Sequence, residues 1–302
     1  MKNNFIAIET TNKGLYLEVE LGFVCNYRCS YCPPYLHTGN EWIKYHYLSH
    51  FIDTVKPKTV LLVGGEPTFY PWIDQLLWDL NTNKISVHMT SNGSRPLEWW
   101  QSNHDKIDVL TLSYHLEHSN LDKFIEKLEF LSDHRVITVN VSMMVDRFDE
   151  CLDAGMKISK IKNVFTSLKA LNDVNTERLY EYSKDQLSIM SKLIHPPIET
   201  HKNDFNIEFF GVDENGNRKK LRAQTIISNK ENVYKGWKCW KGLQCMKLIA
   251  NGNIYKATCE LGYEPFGNIY DRNIKIPIKP EKCAKDYCYC LTDLKSIKKE
   301  KV

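Results

Sequence analysis

The chain has 302 residues, 42% hydrophobic and 25% charged, proportions that fill a sizeable globular core with room for an appended smaller unit and exclude a disordered or collagen-like polymer. Lysine and arginine number 40 against 37 aspartates and glutamates, a net charge of +3, so neither nucleic acid nor an anionic membrane is the default partner. No run reaches the ~18 apolar residues of a membrane span, and residues 1–21 lack the basic, apolar, small-residue order of a secretion signal; the expectation is a cytoplasmic protein.

From Gly14 to about Lys169, short β-branched or apolar runs alternate with amphipathic stretches of helical length, the pattern of repeated βα units around a parallel sheet. Six strands are expected, at residues 15–21, 59–63, 85–90, 109–113, 136–143 and 163–167. Helices are expected at 41–55, 72–80, 121–131 and 148–154, where apolar residues recur every three or four positions. Right-handed crossovers wind such units into an open or partial barrel with its functional loops at the carboxyl ends of the strands. After Leu193 the character changes. His195-Pro196-Pro197 breaks a helix begun near Ser183, and turn signals follow at Asn215-Gly216 and Asn251-Gly252 between β-type runs. There is no internal repeat, and the basic tail at 295–302 reads as frayed.

Ten cysteines in such a chain are expected to be thiols, and clustered thiolates in a reducing compartment bind metal or do redox chemistry more often than they form disulfides. Cys25, Cys29 and Cys32 stand together, Cys151 is alone, and Cys239, Cys245, Cys259, Cys283, Cys288 and Cys290 crowd the end, so two metal-binding regions are expected. The first three lie in Cys25-Asn26-Tyr27-Arg28-Cys29-Ser30-Tyr31-Cys32, directly after the first strand and before Pro33 and Pro34, which stop any continuation. An iron-sulfur cubane normally takes four thiolates, and a loop offering three leaves one iron open. The alternative is a zinc knuckle or three unrelated buried thiols. A structural zinc site wants four ligands, and His37 is beyond two prolines. One βα unit later the strand at 59–63 runs into Gly64-Gly65-Glu66-Pro67. There the backbone can approach a ligand closely, and carbonyls with the Glu66 carboxylate suit an ammonium group; the plainer alternative is a sheet-end turn.

The Cys-x3-Cys-x2-Cys loop, with aromatic Tyr31 before its last cysteine, and the Gly-Gly-Glu-Pro segment in that order resemble the radical S-adenosylmethionine (SAM) enzymes. The resemblance implies a [4Fe-4S] cluster on Cys25, Cys29 and Cys32 whose open iron is chelated by the amino and carboxylate groups of SAM. One electron, from a donor such as flavodoxin or ferredoxin, then cleaves a carbon-sulfur bond to give a 5′-deoxyadenosyl radical that abstracts hydrogen from a substrate. It further implies SAM contacts at Tyr31, Gly64, Gly65, Glu66 and Pro67. Thr90-Ser91-Asn92-Gly93 is similar to the family's polar strand end near the SAM carboxylate and ribose. Ser113, and behind it Asn140 or Ser142, are candidates for the ribose hydroxyls, with Thr90, Ser91 and Ser113 ranked first. Tyr114 and His115 share a strand end where a substrate would be touched, although a satisfied structural histidine is the commoner outcome.

In the carboxyl region, runs at 246–250 and 254–258 flank the Asn251-Gly252 turn, so a hairpin with a cysteine just outside each strand brings Cys245 and Cys259 together. Gly267-Asn268-Ile269 and Cys283-x4-Cys288-x-Cys290 follow. Six thiolates fully ligate one cluster and leave two over. This order resembles the twitch extension of radical SAM enzymes, the shorter relative of SPASM, whose cysteine count and Cys-x2-Cys pair are missing. The implied architecture is a partial (β/α)6 barrel at 1–200 and an auxiliary-cluster domain with a cysteine-rich hairpin at 201–302. One auxiliary [4Fe-4S] cluster would be held by Cys245, Cys259, Cys288 and Cys290, with Cys283 or Cys239 as substitutes. A four-cysteine zinc site is the alternative; mixed cysteine and histidine fingers are excluded because no histidine follows His201. Cys151 reads as a small buried hydrophobe, and Trp99 with Trp100 as cover for a helix face.

The expected function is a radical SAM oxidoreductase acting on a ribosomally made peptide or on a small natural-product, nucleoside or sugar substrate. Its auxiliary cluster would accept an electron from the substrate or bind the substrate. The rival from another class is a noncatalytic zinc- or iron-sulfur-binding module, a nucleic-acid adaptor or electron carrier. Such an adaptor needs a basic face, and Arg218-Lys219-Lys220 with Arg222 is the one dense internal run, a pattern usual for a solvated strand.

Overall fold

The computed structural model describes residues 5–12, 14–39, 41–173, 178–192, 208–271 and 273–300. The expected break at His195-Pro196-Pro197 and the expected boundary at residue 200 lie outside the described residues. In chain order the strands are β1 (Phe5–Thr10), β2 (Tyr16–Glu20), β3 (Thr59–Val63), β4 (Ser86–Ser91), β5 (Val109–Tyr114), β6 (Ile137–Met143), β7 (Val164–Ala170), β8 (Phe209–Asp213), β9 (Arg218–Leu221), β10 (Lys238–Cys239), β11 (Cys245–Leu248), β12 (Asn253–Tyr255), β13 (Gly267–Asn268), β14 (Glu281–Lys282) and β15 (Lys298–Lys299). The helices are α1 (Tyr35–Thr38), α2 (Tyr45–Val55), α3 (Ile73–Thr82), α4 (Leu97–Asn103), α5 (Leu121–His134), α6 (Phe148–Ile158), α7 (Lys184–Lys192), α8 (Ala223–Ser228) and α9 (Leu291–Leu294). The fold is α/β, and all six expected strands form, as β2 to β7. Two compact units divide the chain, one of residues 21–42 and 61–202, the other of residues 1–20, 43–60 and 203–302.

In the first unit β4, β5, β6 and β7 are parallel in chain order, with Ser91 beside Leu112, Tyr114 beside Val141 and Asn140 beside Ser167. Strands β4 and β5 alternate strictly. Val87, Met89, Leu110 and Leu112 are buried, while Thr90 and Ser113 on the other face are half-open. Helix α5 starts where the Asn120 side chain accepts from Lys123 N at 3.0 Å, and it buries Phe124, Leu128 and Leu131. Each such side chain is worth roughly 1.5–3 kcal/mol when fully buried. Helix α6 buries Phe148, Cys151, Ala154 and Ile158, which gives Cys151 the apolar role expected of it. On α4, Trp100 is buried and Trp99 donates to Asp74 at 2.8 Å.

Two local expectations are corrected here. The helix expected from residue 41 starts only at Tyr45, because Phe23 N donates to Glu41 O at 3.0 Å and Gly22 bridges to Trp42. Pro33 and Pro34 do not end the local structure. They open the single turn α1, since a missing N–H is no loss at a helix start.

In the second unit β14, β10, β15, β1, β8 and β9 form a sheet in that order, antiparallel at every pairing. It packs around Ile8, Phe209, Ile226, Tyr234, Cys288 and Leu294. Strand β1 was not anticipated, and the frayed tail is a further correction. Lys298 and Lys299 pair with both β1 and β10, and Lys298 is 1% exposed. The expected hairpin forms from β11 and β12, with β2 running parallel to β11. Gly252 turns it at φ +88°, and a Cβ there would meet the Tyr270 ring at 2.6 Å. Cys245 is the first residue of β11 and not outside it, while Cys259 lies in a 3-10 turn past β12. The basic run on β9 is exposed and answered by acids, Arg218 by Glu9 at 3.1 Å and Lys220 by Glu208, as befits a solvated strand. No helix among the described residues is long and apolar enough to cross a membrane.

Candidate active site

Cys25, Cys29 and Cys32 line one cavity of about 310 Å³ at the carboxyl ends of the strands in the first unit. Cys25 Sγ accepts from Tyr27 N at 3.3 Å and from Asn92 Nδ2 at 3.8 Å, and Asn92 Nδ2 also donates to Asn26 Oδ1 at 3.0 Å. Cys32 N donates to Cys29 O at 3.0 Å, tightening the loop. Burial pushes all three thiols up, Cys29 to about 12 and Cys32 to about 11. Such thiols ionise at neutral pH when a metal cation takes the proton's place. A three-sulfur donor set opening on one cavity therefore fits an iron-sulfur cluster held at three corners.

The segment after β5 clasps this loop. Tyr31 Oη and His115 Nδ1 are hydrogen-bonded at 2.7 Å, and the ring is held neutral, its pKa pushed down to about 4 by burial and by the nearby His118. Glu117 Oε2 accepts from Ser30 N at 2.8 Å, and His118 Nε2 accepts from Arg28 N at 3.3 Å. The His118 ring stacks on Tyr27 with centroids 5.0 Å apart. Ligand atoms of Cys29, Glu117 and His118 lie within 4.8 Å of one another. Glu117 and His118 were not among the sequence candidates. The signal was there, two further polar residues just past His115 at a strand end, but it named no partner.

Gly64 to Pro67 leave β3 in a turn that lies directly on the strand feeding the cysteine loop. Gly65 N donates to Gly22 O at 3.0 Å and Glu66 N to Val24 O at 2.9 Å. A Cβ at Gly65 would stand 2.1 Å from Val24 O, so no other residue fits without displacing backbone. Glu66 lines the same cavity. Its carboxylate is 0% exposed and accepts from Thr68 N (3.0 Å), Thr68 Oγ1 (2.6 Å), Ser91 Oγ (2.7 Å) and Asn92 N (2.6 Å). Burial raises its pKa against the pull of these donors. The side chain ties the turn to the end of β4 at the cavity wall. Pro67 is buried as the first residue of the 3-10 turn Pro67–Phe69 and does not line the cavity.

Of the remaining candidates, Tyr31, Gly64, Gly65, Thr90, Ser91, Ser113 and Ser142 all line the cavity, joined by Asn92 and His115. Asn140 does not. It shares a face of β6 with Ser142 but sits two residues back from the strand end, roughly 6–7 Å deeper. Tyr114 points the other way, packed edge-on against Phe124 at 5.3 Å. A second cavity of about 370 Å³, lined by Ser30, Tyr31, Met144, Val145, Asp146, Leu171 and Tyr180, shares Tyr31 and Leu171 with the first.

In the second unit the thiols fall into two kinds. Burial pushes up Cys245, Cys259 and Cys288, the last to about 12. Cys239 adds to the shift at all three, and Asp293 does the same, so Cys239, Cys245, Cys259 and Cys288 form one electrostatic group. Cys283 acts on Cys288. Cys290 acts on Tyr16 and Lys295, and shares with Cys259 an open cavity of about 610 Å³ whose walls include Tyr287 and Tyr289. Three thiols that each feel Cys239, taken with it, fit a fully ligated cluster. All ten cysteines are free.

Residues 19–183, more than half of the chain, match the Radical SAM superfamily. The chain belongs to this family. Radical SAM proteins use a [4Fe-4S] cluster and SAM. Among curated proteins the chain is 33% identical over 84 residues to an S-adenosylmethionine-dependent nucleotide dehydratase of a Thermoplasmatales archaeon (strain ISO4-H5), covering 26% of this chain and 29% of that one. It is 25% identical over 227 residues to the GTP 3',8-cyclase of Psychromonas ingrahamii, covering 71% and 59%. It thus spans less than two thirds of either relative. Among solved structures, Streptococcus suis SuiB has a TM-score of 0.52 at 17% identity, covering 87% of this radical SAM chain and 67% of SuiB. SuiB bound to the precursor peptide SuiA has a TM-score of 0.51 at 15% identity, covering 83% and 61%. These are likenesses of fold.

Proposed function

We propose that this radical SAM protein is an oxidoreductase that cleaves SAM reductively and takes a hydrogen atom from its substrate. The observation that carries the reading is the convergence of Cys25, Cys29 and Cys32, the Gly64-Gly65 turn and the polar ends of β4, β5 and β6 on one cavity. Bound there, the cluster and SAM supply one-electron cleavage of a carbon-sulfur bond and hence a 5′-deoxyadenosyl radical. The three thiolates hold the cluster. Backbone groups of Gly64 and Gly65 receive the SAM amino group, Thr90 the carboxylate, and Ser113 and Ser142 the ribose hydroxyls, while Ser91 and Asn92, whose donors go to Glu66 and the cysteine loop, fix the end of β4. Tyr31, braced by His115, forms the wall between cofactor and substrate. An electron donor such as flavodoxin or ferredoxin serves the cluster.

The cavity beyond Tyr31 is our choice for the substrate. Its described lining is apolar and aromatic with one carboxylate, Asp146, and no lysine or arginine. That wall suits a neutral or cationic peptide side chain better than a polyphosphate, which calls for guanidinium or ammonium partners. The likeness to SuiB supports the peptide reading; the names of the curated relatives support a nucleotide as the second one. In the other unit we assign one auxiliary [4Fe-4S] cluster to Cys239, Cys245, Cys259 and Cys288, with Cys239 in place of Cys290. Oxygen-free reconstituted protein given dithionite and SAM is expected to release 5′-deoxyadenosine and methionine, and Cys29→Ala to abolish this. Normal product release by that variant contradicts the assignment.

A further inference from the structure

Lys298 poses a question that the auxiliary cluster answers. Taking an ammonium out of water costs several kcal/mol unless it is paired, yet this one is 1% exposed. Its Nζ donates to Asp293 O (2.6 Å), Leu294 O (3.2 Å), Ser296 O (3.2 Å) and Ser296 Oγ (3.1 Å), and it lies 5.2 Å from the Tyr234 ring. Every one of those oxygens is neutral. They satisfy the donors without balancing the charge.

The charge faces the thiols. Lys298 on β15 stands directly opposite Cys239 on β10, where Cβ atoms are about 4.5–5.5 Å apart. The Ser296 hydroxyl bridges the two, 3.1 Å from Nζ and 3.9 Å from Cys239 Sγ. The field of Lys298 draws the Cys245 and Cys288 thiols and the Asp293 carboxyl down, against burial. Asp293, the acid of this region, is turned to Cys259 N at 2.9 Å and Thr258 N at 3.4 Å. Four thiolates around a cubane carry net negative charge, and one-electron reduction adds more. A buried cation at this distance stabilises the reduced form most.

We propose that Lys298, with Ser296 between it and Cys239, is the fixed countercharge of the auxiliary cluster and raises its reduction potential. Lys298 is a positioning residue for charge and touches no reacting atom. The proposal rests on the auxiliary-cluster reading above. It is tested in the full chain with Cys25, Cys29 and Cys32 replaced by alanine, by metal analysis and by an EPR-monitored redox titration. Retention of a four-iron cluster supports the underlying reading, and loss of all iron removes that reading and the proposal with it. With the cluster present, Lys298→Gln should move its midpoint to lower potential and Lys298→Arg should leave it near the parent value. Iron lost from the Gln variant but kept by the Arg variant also supports the countercharge. An unchanged midpoint in the Gln variant, or iron lost equally from both, overturns it.

Discussion

The His115 ring shows how one side chain shapes this site. It shares a hydrogen bond with the Tyr31 hydroxyl at 2.7 Å, and burial keeps it neutral until about pH 4. In an unfolded chain the same ring takes a proton near pH 6.5. Below that value the unfolded state binds more protons than the folded one, so folding stability falls as pH drops from 6.5 to about 4, by at most about 1.4 kcal/mol per pH unit. His115→Gln removes this contribution. Denaturant unfolding of the metal-free protein is expected to show a flatter stability profile for the variant across that window, and parallel profiles for variant and parent would refute the neutral assignment. Glu66 teaches the complementary lesson. Its place after a strand was legible, but its four donors come from Thr68, Ser91 and Asn92. Sequence spacing says where a carboxylate is and not which way it turns.

At the scale of elements, what was legible is what is local. Strand β3 was read to the residue and α5 and α6 from their apolar spacing, because each pattern lies within a single run. Strand β1 was missed because its partners are distant, Ile8 meeting Gly211 on one side and Lys298 on the other. The tail was misread for the same reason. A basic run is normally solvated, but Lys298 is buried by its pairing with β1 and β10, and the carbonyls of Asp293, Leu294 and Ser296 take up its Nζ. The Gly64-Gly65 turn was read as a close approach to a ligand; the approach present is to the chain's own backbone at Val24, and it has a measurable consequence. Gly65→Ala places a methyl 2.1 Å from Val24 O, which is expected to destabilise the protein by about 1–3 kcal/mol and, by shifting the turn against the cysteine loop, to weaken SAM binding about tenfold or more. Calorimetry on parent and variant checks both, and unchanged SAM affinity would mean that the turn does not form that wall.

Across the whole molecule, each compact unit carries its own set of thiols, three in the one containing the cysteine loop and six in the one containing the hairpin, apart from the structural Cys151. That division was legible from cysteine spacing alone. The clasp of His115, Glu117 and His118 on the cysteine loop was not, since it joins segments 84 to 90 residues apart. The proposed function requires that one iron of a cluster on Cys25, Cys29 and Cys32 has no ligand from the protein. The most direct measurement is the EPR spectrum of oxygen-free, dithionite-reduced protein before and after SAM is added. The g values of one cluster should shift with SAM, and no such shift should remain in Cys29→Ala. A spectrum indifferent to SAM, or a colourless protein holding zinc alone, would contradict the account.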